Sequence, residues 1–233
     1  MEIAPGVHAL GQWLGGHVHA FLLEDGEELT LIDTLFDVDG RRVLAQLARL
    51  GRRVEQLRHI VLTHAHRSHL GGLAELKRVS GATICAHEWE ADIIAGDREA
   101  QRVSPAPRRP WPAYPFQLGL ALGRGAGAPP AIVDRTLRHG DRVGPVEVLH
   151  APGHTPGHLA FYRPESGVLF AGDVIATWPE FAAGWPGLNL NVRQLRTSVR
   201  RLAELEPQVV AVGHGEPLTR GAAARLKQLA MSL

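Results

Sequence analysis

At 233 residues, 45% of them hydrophobic, the chain is long enough to bury a full core, and one compact domain of packed layers over 1–233 is the simplest organisation. Its 25 basic and 24 acidic side chains nearly cancel, and no basic run exceeds Arg-Arg pairs; this excludes an electrostatic platform for nucleic acid and points to a small-molecule partner. No apolar stretch approaches the ~20 residues of a membrane span, and the opening M-E-I-A-P-G-V-H lacks the basic start and apolar run of a secretory signal, so a cytoplasmic protein is expected, with a homodimer left open.

Val7 to Asp33 reads as short antiparallel strands. Val18 to Leu23 is largely apolar, Glu24-Asp25-Gly26-Glu27 supplies hairpin chemistry, and Leu29 to Ile32 pairs back. His17 and His19 share a strand face, at an edge or a pocket rim, without a third partner nearby in sequence. Arg41 to Leu50 carries Val43, Leu44, Leu47 and Leu50 at helical spacing and crosses to a strand at Ile60. His59 to Leu62 is an apolar run that reads as a buried strand, and a histidine-rich turn follows it. His64 and His66, two apart on an extended chain, point the same way, and His69 comes round to that side once the chain coils into a helix. Three neutral imidazoles converging on one point suit zinc or a similar borderline metal. Gly71-Gly72 allows close backbone approach behind them.

Leu70, Leu73, Leu76 and Val79 then mark one helix face, ended by Ser80-Gly81. Ala82 to Ala86 is the next strand, and its Cys85, the only cysteine, reads as a core residue rather than a nucleophile. Glu88 to Ile94 forms a short helix. The character changes over 96–130, which holds seven prolines with Arg108-Arg109, Trp111 and Tyr114 and shows no clear periodicity. A lid or substrate-contacting insertion is expected there, with a surface excursion or a subunit contact as the alternative. Asp141 to Ala151 reads as a hairpin about Gly144-Pro145, strands follow at His158 to Tyr162 and Val168 to Ala171, and Asp173 lies just past the second. Val192, Leu195, Val199, Leu202 and Leu205 give a helix stripe, Val209 to Val212 a strand ending at Gly213-His214-Gly215, and the last helix runs from near Thr219 to Met231. The halves rhyme: each has an antiparallel portion, a strand ending in aspartate (Asp33, Asp173), a helix, and a strand ending in histidine (His64, His214).

The stretch T-H-A-H-R-S-H-L-G-G at 63–72 resembles T-H-x-H-x-D-H-x-G-G, the signature of the metallo-β-lactamase-fold superfamily. Ala151 to His158 (A-P-G-H-T-P-G-H), Leu169 to Val174 (L-F-A-G-D-V) and Val212 to Glu216 (V-G-H-G-E) resemble its other metal-site motifs, in the family's order. Ser68 stands where the family has aspartate. The resemblance implies an α/β fold, an αββα sandwich of two mixed β-sheets packed face to face with helices on the outer faces, whose internal pseudo-symmetry matches the rhyme above. It implies a first metal site of His64, His66 and His154, a second using His69 and His214, and Asp173 bridging the two. Zn2+ is the expected cofactor, as one or two ions, with iron or manganese as alternatives. The run L-I-D-T resembles the family's L-I-D-T-G, which implies that Asp33 supports the metal loop from behind; a turn or helix-capping carboxylate is the alternative, and the family glycine is Leu35 here. His158 is implied as a hydrogen-bond partner behind the ligands. Trp178, Trp185 and Asn189 are implied near the mouth, as a substrate-binding wall or as core packing.

Two ions ~3.5–4 Å apart activate water and polarise a carbonyl or phosphoryl oxygen without any serine or cysteine nucleophile. The resemblance therefore implies a metal-dependent hydrolase of a small-molecule ester, thioester, lactone or amide, with Asp173 and position 68 at the chemistry. Serine is neutral, short and a poor zinc ligand, so Ser68 implies a weakened second metal site; it also suits a helix N-cap ahead of Leu70. The chain runs 19 residues beyond His214, shorter than the C-terminal helical domain of glyoxalase II-like enzymes. Two other readings stand beside hydrolysis: one iron on His64, His154 and Asp173, as in the superfamily's persulfide dioxygenases, and a non-catalytic metal-binding member.

Overall fold

A computed structural model describes residues 1–13, 17–100, 105–106, 114–122, 127–185 and 187–233. The chain opens with four strands, β1 (Glu2–Ala4), β2 (Val7–Gln12), β3 (Val18–Asp25) and β4 (Glu28–Ile32), each antiparallel to the one before. Gly26, at φ 59°, makes the tight β3–β4 turn that the sequence signalled. Helix α1 (Arg41–Arg49) then crosses to β5 (Leu57–Val61), parallel to β4. Two helical pieces, α2 (Arg67–Leu70) and α3 (Leu73–Ser80), replace the single helix expected there, and the break falls at Gly71-Gly72. A Cβ on Gly71 would stand 2.3 Å from the Phe36 carbonyl carbon, so the chain passes there only as glycine. Gly81 ends α3 in the left-handed conformation, and β6 (Thr83–Ala86) and α4 (Glu88–Ala95) follow as read from sequence.

Of the 96–130 stretch, Arg108, Arg109 and Trp111 lie outside the described residues. Tyr114–Ala121 forms a helix, α5, that periodicity did not predict. Proline in its first turn is compatible with a helix, because an amide there has no partner within the helix to lose. The second half supplies β7 (Arg135–Thr136), β8 (Arg142–Val143), β9 (Val146–His150), β10 (Leu159–Arg163), β11 (Val168–Gly172), β12 (Ile175–Ala176), β13 (Ala182–Ala183), α6 (Val192–Ala203), β14 (Val209–Val212) and α7 (Ala222–Ser232). Helix α6, capped by Asn191, buries Leu195, Val199 and Leu202, but its first residue, Val192, is exposed. Helix α7 starts at Ala222, after Gly221 at φ 63°, later than expected.

Two sheets result, one ordered β1-β2-β3-β4-β5-β6-β7 and one β14-β11-β10-β9-β8, with β12 and β13 paired separately. Both mix antiparallel and parallel pairs, and the parallel pairs β4–β5 and β11–β14 occupy matching places in the two halves. Ile32, Val61, Cys85, Phe161, Phe170 and Ala211 meet between the sheets, where the Phe21 and Phe170 rings are 5.3 Å apart. Burial pushes the Cys85 thiol up to about 11, which suits its core role. Val43, Leu47, Leu73 and Leu76 pack helices on the first sheet's outer face, and Leu195, Val199, Leu202 and Leu226 do so on the second. The layers are therefore α, β, β, α. Because the strand ends of both sheets open at one edge, the residues just past β4, β5, β11 and β14 are brought together.

Candidate metal centre

Thr63 to Ala65 link β5 to α2, and Leu159 N donates to Thr63 O at 2.8 Å, tying this turn to the second sheet. His64 Nε2 lies 2.9 Å from His66 Nδ1, which lies 3.0 Å from His154 Nε2. Asp173, one residue past β11, aims its carboxylate at this group, with Oδ2 3.8 Å from His64 Nε2 and 3.5 Å from His154 Nε2. On its other side Oδ1 is 3.5 Å from His69 Nε2, and Oδ2 is 3.2 Å from His214 Nε2. Two sets of potential ligands follow, His64, His66, His154 and Asp173, and His69, Asp173 and His214, sharing one carboxylate.

Neighbouring groups fix which nitrogen of His64, His69 and His154 faces inward. Thr63 Oγ1 donates its one hydrogen to Asp33 Oδ2 at 2.8 Å and so accepts from His64 Nδ1 at 3.0 Å, leaving the His64 Nε2 lone pair free to point at the centre. His69 Nδ1 donates to the same Asp33 Oδ2 at 2.8 Å, and His154 Nδ1 donates to Asn189 Oδ1 at 3.0 Å. Asp33 Oδ1 also takes Thr63 N at 2.9 Å, so one carboxylate behind the turn orients a ring in each set. His158 Nε2 accepts from Asp173 N at 3.1 Å and holds that residue's backbone.

Burial holds His64, His66 and His158 well below the ordinary histidine range, with neighbouring imidazoles adding to the effect, and it lowers His154 as well. These rings are neutral. Burial would raise the Asp173 carboxyl, but the charges of His214 and His69 outweigh it and keep the group ionised. Burial likewise opposes charge on His69, yet Asp33 and Asp173 raise it to about 10.

The residues fit a divalent cation. Both Asp173 oxygens and His69 Nε2 are buried without an aligned hydrogen-bond donor or acceptor, a costly state unless an ion belongs between them. Imidazole nitrogens around an ionised carboxylate are the donor set that borderline metals take, with His69 giving up its proton on binding. The backbone yields room for it: a Cβ on Gly213 would stand 2.1 Å from Asp173 Oδ1.

The metallo-beta-lactamase superfamily model matches residues 13–214. The chain belongs to that superfamily. Among its relatives, Uncharacterized protein YobT of Bacillus subtilis (strain 168) is 28% identical over 91% of this chain and 88% of its own length. A hydroxyacylglutathione hydrolase of Rhizobium meliloti (strain 1021) is 33% identical over 54% of this chain, a match spanning 37% of that enzyme. Among solved structures, TTHA1623 in a di-iron-bound form is 30% identical with TM-score 0.70, covering 94% of this chain and 98% of that one. TTHA1429 of Thermus thermophilus, a metallo-beta-lactamase family protein, is 26% identical with TM-score 0.69, covering 98% and 78%.

Against the superfamily pattern, several positions are placed in ways the sequence reading did not anticipate. Ser68 is buried in the first turn of α2, where His66 holds the N-cap position, so Ser68 is not the helix cap. Leu35, at the family's glycine, has φ 62°, the left-handed backbone that glycine usually supplies, and its side chain is wholly buried. Trp185 is 2% exposed, with its ring stacked 4.3 Å from that of His214 and its Nε1 donating to Trp178 O at 3.0 Å, so it packs behind the ligand instead of lining an open wall. Asn189 Oδ1 serves His154. Trp178 is half-buried and faces His17 at 6.1 Å. His17 and His19, left without a partner in the sequence, lie 3.6 and 4.0 Å from the Glu216 carboxylate. The motif carried Thr63 and Gly213 in plain view, yet only their contacts reveal what they do.

Proposed function

We propose that this protein is a metal-dependent hydrolase of a small-molecule ester, thioester, lactone or amide. The observation that carries the reading is the pair of buried ligand sets sharing Asp173. His64, His66 and His154 would hold one ion and His69 and His214 a second, with Asp173 between them. When bound, such ions lower the pKa of water toward neutrality and polarise a carbonyl oxygen. The chain's own contribution is preorganisation. Burial keeps His64, His66 and His154 neutral, Thr63, Asp33 and Asn189 fix the ring orientation of His64, His69 and His154, and the neighbouring His214 and His69 hold Asp173 ionised.

Ser68 supplies no carboxylate where the superfamily motif has one, so the second set has three strong donors and binds its ion more weakly than the first. Zinc fits the nitrogen-rich donors, and the di-iron form of TTHA1623 supports iron as an alternative occupant. The similarity to hydroxyacylglutathione hydrolases supports a thioester among the candidate substrates, though it spans only part of those enzymes. The test is hydrolysis of an aryl ester, a lactone and an S-acyl thiol by protein loaded with zinc or with iron. Turnover that disappears on chelation and in Asp173→Ala supports the proposal. No turnover of any of these bonds by fully loaded protein refutes it.

A further inference from the structure

Helix α4 supplies none of the proposed ligands, yet its first turn reaches between two of the loops that do. Glu90 is only 2% exposed and spends both carboxylate oxygens there. Oε2 accepts Ala65 N at 3.0 Å, and Oε1 accepts Thr155 Oγ1 at 2.7 Å and Gly157 N at 3.0 Å. Ala65 lies between His64 and His66, and Thr155 follows His154. The three imidazoles of the first set thus hang on two loops that a single buried carboxylate joins. Three donors satisfy it in its ionised form, and none of its bonds requires a proton on it.

Its surroundings are fitted to the purpose. His87 Nδ1 accepts Trp89 N at 3.1 Å and caps α4, fixing the turn that carries Glu90. A Cβ on Gly157 would stand 2.7 Å from Glu90 Oε1, so the second loop comes this close only as glycine. The first set has little tolerance, with His66 Nδ1 within 3.0 Å of a nitrogen from each loop. A shift of one loop against the other changes that spacing directly.

We propose that Glu90 is a positioning residue of the metal centre, setting the separation of the His64–His66 loop from the His154 loop and through it the affinity of the first set for its ion. This rests on the metal-binding reading above. The test measures Zn2+ affinity by competition with a chromophoric chelator, on the full chain, alongside urea unfolding of the metal-free protein. Glu90→Gln keeps the shape but turns an amide N–H₂ toward one of the donors, and its tight-site affinity should fall about tenfold or more, as for other groups that orient metal ligands. Thr155→Val should weaken binding in the same sense, while Thr155→Ser, which retains the hydroxyl, should bind as the unaltered protein does. The Thr155 pair decides the matter if Glu90→Gln does not fold. Unaltered affinity in Glu90→Gln or in Thr155→Val, even with lowered metal-free stability, overturns the proposal and leaves Glu90 a purely structural group. Absence of tight Zn2+ binding by the unaltered protein is a different result, and it sinks the metal-binding reading itself.

Discussion

Asp33→Asn isolates one charge at the point where both ligand sets are oriented. Asparagine adopts the left-handed backbone that Asp33 has at φ 59°, so the substitution leaves the turn alone. The carboxylate accepts three buried hydrogen bonds: Thr63 N on one oxygen, Thr63 Oγ1 and His69 Nδ1 on the other. The amide keeps one acceptor, best placed for Thr63 N, and presents N–H₂ to the other two. Bonds to a charged group contribute about 1.5–3 kcal/mol each. Losing two, with partial recovery as the Thr63 hydroxyl rotates to accept from the new amide, destabilises the metal-free protein by about 3 kcal/mol. Urea unfolding of metal-free protein measures this as a lowered midpoint at unchanged slope. Because Asp33 fixes a ring in each set, Zn2+ affinity should also fall about 10–100-fold. A loss below about 1 kcal/mol together with unchanged affinity would refute the role given to Asp33.

Three further outcomes follow from the same geometry. Metal-free stability should peak near pH 6.5: His64, His66, His154 and His158 have folded pKa values below the unfolded 6.5, so their contribution is present above 6.5 and lost as pH falls; His69, raised to about 10, contributes below 6.5 and loses that contribution as pH rises through about 10. The acid limb should be the steeper, and a flat profile in urea melts across pH 5–10 would contradict the assignment. Ser68→Asp should tighten binding of a second ion and raise turnover of a generic ester or lactone, and unchanged stoichiometry with unchanged turnover would count against the weakened second set. Gly213→Ala should cost about 1–3 kcal/mol by overpacking against Asp173 and His69 and should weaken metal binding; normal unfolding and affinity would mean that Asp173 has room to move.

Much of this site was legible because the information was local. Apolar runs, turn residues and helical spacing located β3 to β6, α1 and the hairpin at Gly144, and the four motifs singled out the histidines and Asp173 that the structure brings together. What stayed hidden depends on contacts between distant segments. Glu90 bonds to Ala65 and Thr155, 25 and 65 residues away, and nothing in a short helix marks it. The resemblance implied that Asn189 lies near the mouth, but not that its oxygen reaches back to His154 across 35 residues. Trp185 was open to either reading, and only the stacked ring of His214 decides it. The missed helix α5 did carry a signal, a proline in its first turn, which was counted among the breakers of the surrounding stretch.

Anomalous diffraction from crystals soaked in Zn2+, recorded on both sides of the zinc edge, tests the central claim most directly. A peak among His64, His66, His154 and Asp173, with a weaker one beside His69 and His214, is the predicted result. A fully soaked crystal with no peak there, or with its only peaks at surface histidines, would contradict it.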